Sequence, residues 1–288
     1  MQVASWMRRE FQDGNVMLSP VPTKSRVRVP AVAGLFYPKD ADGLRSALRA
    51  LLAAPPHVTA TTTAPKALVV PHAGYAYSGS VAAAAYRRLE GVAGEIRHVV
   101  LIGPSHRVRM RGLAMPTADF FATPCGEVPV DDAGRRHLRE CGLAGVSDAP
   151  HSIEHSLEVQ LPFLQAVLTD FDVLPIAIGQ VPGGLIARAL EAVWGGRDTL
   201  IVVSSDLSHY HTQSEAQQLD GLTTRSILAR RSDLSDEQAC GAEGINGLLE
   251  VARTKGLKVE LIEQRTSADT AGDASRVVGY GSYALFES

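Results

Sequence analysis

Three apolar runs in this sequence are each followed within a few residues by a histidine. ALVV-PH ends in His72, HVVLIG-PSH ends in His106, and TLIVVSSDLSH ends in His209. Read as strands, they place three imidazoles beyond three strand ends. In open α/β sheets ligands gather at the carboxyl ends of strands, so the three side chains are expected to share one crevice. Neutral imidazole is the commonest metal ligand and also serves as a general acid or base. A catalytic metal site requires three or more protein donors and an open position. The further donors on offer are Asp206, Glu237, Glu243 and Cys240. Gly74 and Gly103, beside the first two histidines, suit a crevice that backbone must approach closely.

The elements that carry these residues alternate. Asp40 opens a helix with Leu44, Leu48 and Leu51 on one stripe. A strand over 67–70 is followed by a helix over 78–89 and a strand over 98–102. The spacing predicts an amphipathic helix over 154–168, a strand over 173–178, a helix over 184–194 and a strand over 199–203. Helices over 213–230 and 236–255 precede two terminal strands, KVELIEQRT and RVVGYGSYALF, expected to pair antiparallel. Short, near-continuous apolar strands are buried on both faces. The expected architecture is a single α/β domain with a central mixed, mostly parallel sheet flanked by helices. Residues 1–26 lack periodicity and read as a flexible arm before a domain over 27–288. Residues 54–65 read as a Pro/Thr/Ala loop in which His57 is merely solvated.

Composition narrows the function. The chain has 288 residues, is 45% hydrophobic and carries a net charge of −3, enough for a large core. Lys and Arg are scattered, so neither a nucleic-acid nor an anionic-membrane partner is indicated. No apolar run approaches the roughly 20 residues of a membrane helix, and the first residues lack a secretory signal; a cytoplasmic location is expected. Three widely spaced cysteines form no disulfide framework. Cys125 and Cys141 read as structural thiols. No G-x-G-x-x-G or phosphate loop appears, and Ser204 and Ser205 lack the G-x-S-x-G elbow. His151 and His155 lack the Glu of a zinc-protease signature.

Several stretches together carry a family resemblance: RVPAVAGLFYP (28–38), VVPHAGYAYSG (69–79), IGPSH (102–106), EHSLEVQLPFL (154–164), SSDLSHY (204–210), ACG (239–241), DTAGD (269–273) and VVGYGSYA (277–284). In this order they resemble the Memo family, whose bacterial and archaeal members are called AmmeMemoRadiSam system protein B. That family is similar in fold to class III extradiol dioxygenases, non-haem iron enzymes. The resemblance implies one metal ion on His72, His106 and Cys240. It implies His209 as acid/base, with Asp206 beside it in the pocket. A glutamate is the third ligand in the dioxygenases, and a thiolate is softer, favouring Cu(I), Zn or thiolate-bound iron. Ring cleavage is therefore not implied by the fold. The family name also implies a functional link to a radical-SAM protein and an AMMECR-type protein.

The expected function is metal-dependent redox or oxygen chemistry on a small organic molecule, with Fe(II) favoured, copper second and zinc third. His209 would be the acid/base, oriented by Asp206. Tyr75, His155, Glu158 and Tyr210 are expected to line the pocket or brace the ligands. Cys240, near the start of a helix, is expected to have a stabilised thiolate. Two rival readings are a crevice that holds a peptide or partner, or sequesters metal, without turnover, and a zinc hydrolase.

Overall fold

The computed structural model describes residues 25–53, 64–182 and 184–287. Residues 1–24 of the expected arm and His57 lie outside the described residues. Arg26 is already tied to the body: its backbone N–H and guanidinium both reach the Asp119 carboxylate.

In chain order the elements are β1 (Val27–Arg28), α1 (Ala41–Ala53), β2 (Ala67–Val70), α2 (Tyr75–Tyr86), β3 (His98–Pro104), β4 (Leu113–Met115), β5 (Phe120–Thr123) and β6 (Gly126–Pro129). Then come α3 (Asp132–Glu140), β7 (Gly145–Val146), α4 (Ala149–Ser152), α5 (Leu161–Val167), β8 (Asp172–Ile178), α6 (Leu185–Ala192) and β9 (Thr199–Ser204). The chain ends with β10 (His209–His211), α7 (Gln213–Leu228), α8 (Ala242–Lys255), β11 (Lys258–Thr266) and β12 (Val277–Phe286).

Nine of these strands form one mixed sheet in the order β10-β12-β2-β9-β3-β8-β4-β7, with β11 also paired to β12. Its centre, β2-β9-β3-β8, is parallel. Antiparallel pairings flank it, β12 on β2 and β4 on β8. β1, β5 and β6 make a small separate sheet. No described helix is long and apolar enough to cross a membrane.

Side-chain alternation explains why both faces are covered. Leu68 and Val70 of β2 pack with Leu44, Leu48, Tyr86 and Phe163 on one side. Ala67 and Val69 pack with Ile186, Leu190, Ile245 and Leu248 on the other. Such strands read as continuous apolar runs, as a parallel sheet between helices requires. Just before β2, the Lys66 ammonium donates to the carbonyl oxygens of Trp194, Gly196 and Thr199 at 2.6, 2.7 and 2.8 Å.

Three expectations are corrected. The helix over 154–168 is confined to α5 and a 3₁₀ turn over Glu158–Gln160. Glu154 accepts the backbone N–H groups of His155 and Ser156 at the turn, which replaces helical bonding there. The helix placed over 236–255 begins only at Ala242, after a turn holding Cys240. Finally, α2 starts at Tyr75, three residues earlier than its apolar stripe indicates.

Candidate metal centre

Parallel register brings the histidine-bearing ends together. Val70 pairs with Ser204, and Val203 with Ile102, so β2, β9 and β3 finish side by side. His72 follows β2, His106 follows β3, and Asp206 follows β9. Imidazole nitrogens of His72, His106 and His155 lie within 4.8 Å of one another. The ring centroids of His72 are 5.1 Å from His106 and 5.3 Å from His155. Cys240 Sγ lies 3.2 Å from His72 Nε2, outside the compact imidazole group.

Hydrogen bonding fixes the tautomers. The Ser204 hydroxyl donates to Ser156 O (2.6 Å) and accepts from Gln160 Nε2 (2.8 Å). His72 Nδ1, 3.0 Å from the same oxygen, must therefore donate to it. That makes Nε2 the basic atom of His72, and it faces the Cys240 thiol at 3.2 Å. Glu154 does the same for His106, whose Nδ1 sits 3.0 Å from Oε1. A carboxylate behind a ligating imidazole orients the ring and raises its basicity. Glu154 also accepts the N–H groups of His106 (2.6 Å), His155 (2.9 Å) and Ser156 (3.0 Å). His155 Nδ1 lies 3.0 Å from Glu154 Oε1.

Electrostatics follow burial. Burial pushes the His72 pKa well down, and His106 and His155 reinforce it, so the imidazole is neutral and ready to ligate. Burial alone would raise the Glu154 carboxyl. The hydrogen bonds from His106, His155 and Ser156 override it and hold the group well below the carboxylate range. Burial lifts the Cys240 thiol, and the Asp206 charge lifts it further. This corrects the expected thiolate: desolvation outweighs the helix terminus, and metal binding would have to displace a proton.

Ligand atoms around a tetrahedral ion with bonds of about 2.1 Å are about 3.4 Å apart. Three imidazole nitrogens within 4.8 Å, with a thiol 3.2 Å from one of them, fit a metal ion. Glu237 and Glu243 are exposed and take no part in the group. Gly241 lets the Cys240 turn dock on β9: a Cβ there would sit 2.7 Å from Ser205 Cβ and 2.8 Å from Ser204 O. Its N–H donates to Ser205 Oγ at 2.9 Å. Gly103 is packed under Leu157 and Ser204, with neighbours 3.0 and 3.2 Å from a built Cβ. Gly74 has negative φ and only ordinary neighbours.

The remaining expected residues divide. His209 is outside the imidazole group, its Nδ1 donating to Leu207 O at 2.8 Å. Nε2 is then its basic atom, and the ring is near enough to act electrostatically on His72 and Asp206. Asp206 is buried, but its Oδ1 accepts the His72 backbone N–H at 2.7 Å. It braces His72 rather than orienting His209. Burial raises its carboxyl pKa. Tyr210 is 66% exposed, has φ +66° and lies under the Arg276 guanidinium. This left-handed residue sits where the β10–β12 register shifts, a bulge of the kind that re-aims side chains near sites.

Tyr75 and Glu158 are not at the group. The Tyr75 hydroxyl donates to Val159 O, and its ring packs on Phe163. Glu158 is fully buried and accepts from Arg28, Tyr37 and the N–H groups of Ala31 and Val32. It ties the segment after β1 to the core instead of lining a pocket. His151 and His155 do not share a helix face, because α4 ends at Ser152; His151 is buried against Ala114 O. Glu154, Ser204 and Gln160 escaped the sequence reading. The signal for Glu154 was its place directly before His155.

The Memo-like protein family model matches residues 28–284. A MEMO1 family protein of Aquifex aeolicus (strain VF5) is 36% identical over 274 residues, covering 88% of this chain and 97% of that one. A MEMO1 family protein of Methanococcoides burtonii is 37% identical over 276 residues, covering 88% and 98%. An uncharacterized protein of Escherichia coli K12 of known structure is a distant likeness, with a TM-score of 0.47 and 11% identity over 74% of this chain and 98% of that one. With its matched span and these relatives, the chain belongs to the Memo-like protein family.

Proposed function

We propose that this protein holds one metal ion between His72, His106 and His155, with Cys240 as the fourth donor, and uses it for redox or oxygen chemistry on a small organic molecule. The observation that carries the reading is the imidazole group itself, whose nitrogens lie within 4.8 Å with Glu154 backing His106. Bound there, the metal would supply Lewis acidity and one-electron chemistry. Fe(II) is the first choice: an ion that takes five or six ligands keeps positions free after four protein donors, and imidazole suits iron. Copper is second, because thiolate favours Cu(I). A zinc hydrolase needs a free fourth position, which a set of three imidazoles and a thiol fills.

The chain's own residues have definite tasks in this reading. Ser204 and Glu154 hold the His72 and His106 rings with Nδ1 engaged, which makes Nε2 the ligating nitrogen of each. Asp206 fixes the His72 backbone. His209, donating through Nδ1, keeps Nε2 to take a proton from the substrate and return it.

The test is anaerobic purification followed by elemental mass spectrometry on the wild type, His72→Ala, His155→Ala and Cys240→Ser, each checked for folding by circular dichroism. Near-stoichiometric iron or copper that is lost from His72→Ala and reduced in the other two is expected. Oxygen uptake with candidate substrates, abolished in His209→Ala with metal retained, would then separate turnover from metal sequestration. Absence of site-dependent binding of iron, copper and zinc after reconstitution would refute the reading.

A further inference from the structure

The segment after His106 runs Arg107-Val-Arg109-Met-Arg111, with an arginine at every second position and no acidic residue between Gly103 and Gly112. The chain as a whole carries a net charge of −3, so this concentration runs against its balance. All three arginines are exposed, and among the described residues none of their guanidinium groups makes a hydrogen bond or ion pair. Elsewhere the arginines of this protein are commonly paired: Arg28 with Glu158, Arg135 with Asp132, Arg26 with Asp119.

The backbone of this segment is held. Gln180 N–H donates to Met110 O at 2.9 Å, Gly112 N–H to Gln180 O at 2.8 Å, and Ser105 Oγ to Val108 O at 2.8 Å. Gly179 presses against it so closely that a built Cβ would lie 2.2 Å from Met110 O. Ser105, Val108, Arg109, Met110, Arg111 and Gln180, with Gly179, line a cleft of about 610 Å³. It opens at the carboxyl ends of β3 and β8, one strand along from the imidazoles. This is where an open α/β sheet receives its ligand.

From these features we infer that the cleft beside His106 is an oxyanion subsite, and that the molecule presented to the metal centre is an organic anion bearing a carboxylate or phosphate group. Guanidinium presents a planar fork of donors that matches both groups, and an unpaired one gives no intramolecular partner up on binding. The loop that carries Arg109 and Arg111 leaves directly from His106, and Arg107 adds a third positive charge to it. This assignment names a substrate class for the proposed metal centre and rests on that reading for its chemistry. The anion binding itself does not require the metal.

The experiment uses the full chain, metal-loaded and metal-stripped, titrated calorimetrically with inorganic pyrophosphate and with succinate at two salt concentrations. Wild type is compared with Arg109→Ala/Arg111→Ala and Arg109→Lys/Arg111→Lys. The expected result is saturable binding of one probe, weakened at least tenfold in the alanine variant and less in the lysine variant, with metal content unchanged. Preference for pyrophosphate assigns a phosphate ligand, and preference for succinate a carboxylate. Equal binding of both probes to wild type and alanine variant, or no binding to either, overturns the proposal. Metal content measured on the same samples judges the metal reading separately, so either can fail alone.

Discussion

Replacing Glu154 by Gln tests how the centre is held. The carboxylate serves five donors: His106 Nδ1, His155 N–H and Ser156 N–H on Oε1, and the N–H groups of His106 and Arg107 on Oε2. Glutamine keeps one carbonyl oxygen and turns an amide NH₂ toward the other set. If the oxygen stays on the Oε1 side, His106 and Arg107 face an N–H donor. The Arg107 contact is long at 3.3 Å, so it counts for little. With the His106 N–H the one donor that counts, folding stability should fall by about 1–3 kcal/mol. The second effect is on the metal: losing a carboxylate behind a ligating histidine costs about 10- to 100-fold in affinity. That equals roughly 1.4–2.7 kcal/mol at 1.36 kcal/mol per decade. Chelator competition with Co(II) and Zn(II) at fixed pH measures affinity, and urea unfolding measures stability. Metal affinity within twofold of wild type in a folded variant would refute the role given to Glu154.

Further predictions concern other parts of the frame. Glu158→Ala leaves the Arg28 charge buried without its partner and should cost about 3–5 kcal/mol in urea unfolding; Arg28→Met/Glu158→Leu should recover much of the loss, and a cost under 1 kcal/mol would show that the pair is not structural. His151, whose pKa burial lowers from 6.5 to about 4, stays neutral while the unfolded chain takes a proton. Stability should therefore fall as pH drops from 6.5 to 4, by up to about 3 kcal/mol, then level off. In His151→Gln this part of the pH dependence should vanish, as thermal melts at stepped pH would reveal. Gly241→Ala should push the Cys240 turn off β9 and abolish the sulfur-to-metal charge-transfer band of the Co(II)-loaded protein, while the His155→Ala variant keeps it.

Legibility in the sequence followed burial. The central strands were readable because both faces are apolar, and α1 because its leucines form one stripe. β4 to β7 were not, being only two to four residues long, with β6 and β7 at sheet edges. The three strand-end histidines were visible as a pattern, and the structure brings His72 and His106 together, with Cys240 reaching His72. His155 and Glu154 were harder, because their apparent helical setting hid a turn whose geometry depends on Glu154 itself. Glu158 carried the same family motif yet turned inward to Arg28, a distinction only the tertiary fold makes. Cys240 likewise looked like a helix-terminus thiolate until its burial and Asp206 were in view.

The graded exposure of the three imidazoles has a kinetic meaning. His72 is 2% exposed, the His155 side chain 14% and the His106 side chain 30%. An ion arriving from water would meet His106 first and His72 last, so capture would be ordered and the innermost bond would be the slowest to exchange. Loading from the outside and release from the inside would then run on different clocks, and a chelator should strip the centre far more slowly than the bare affinity implies.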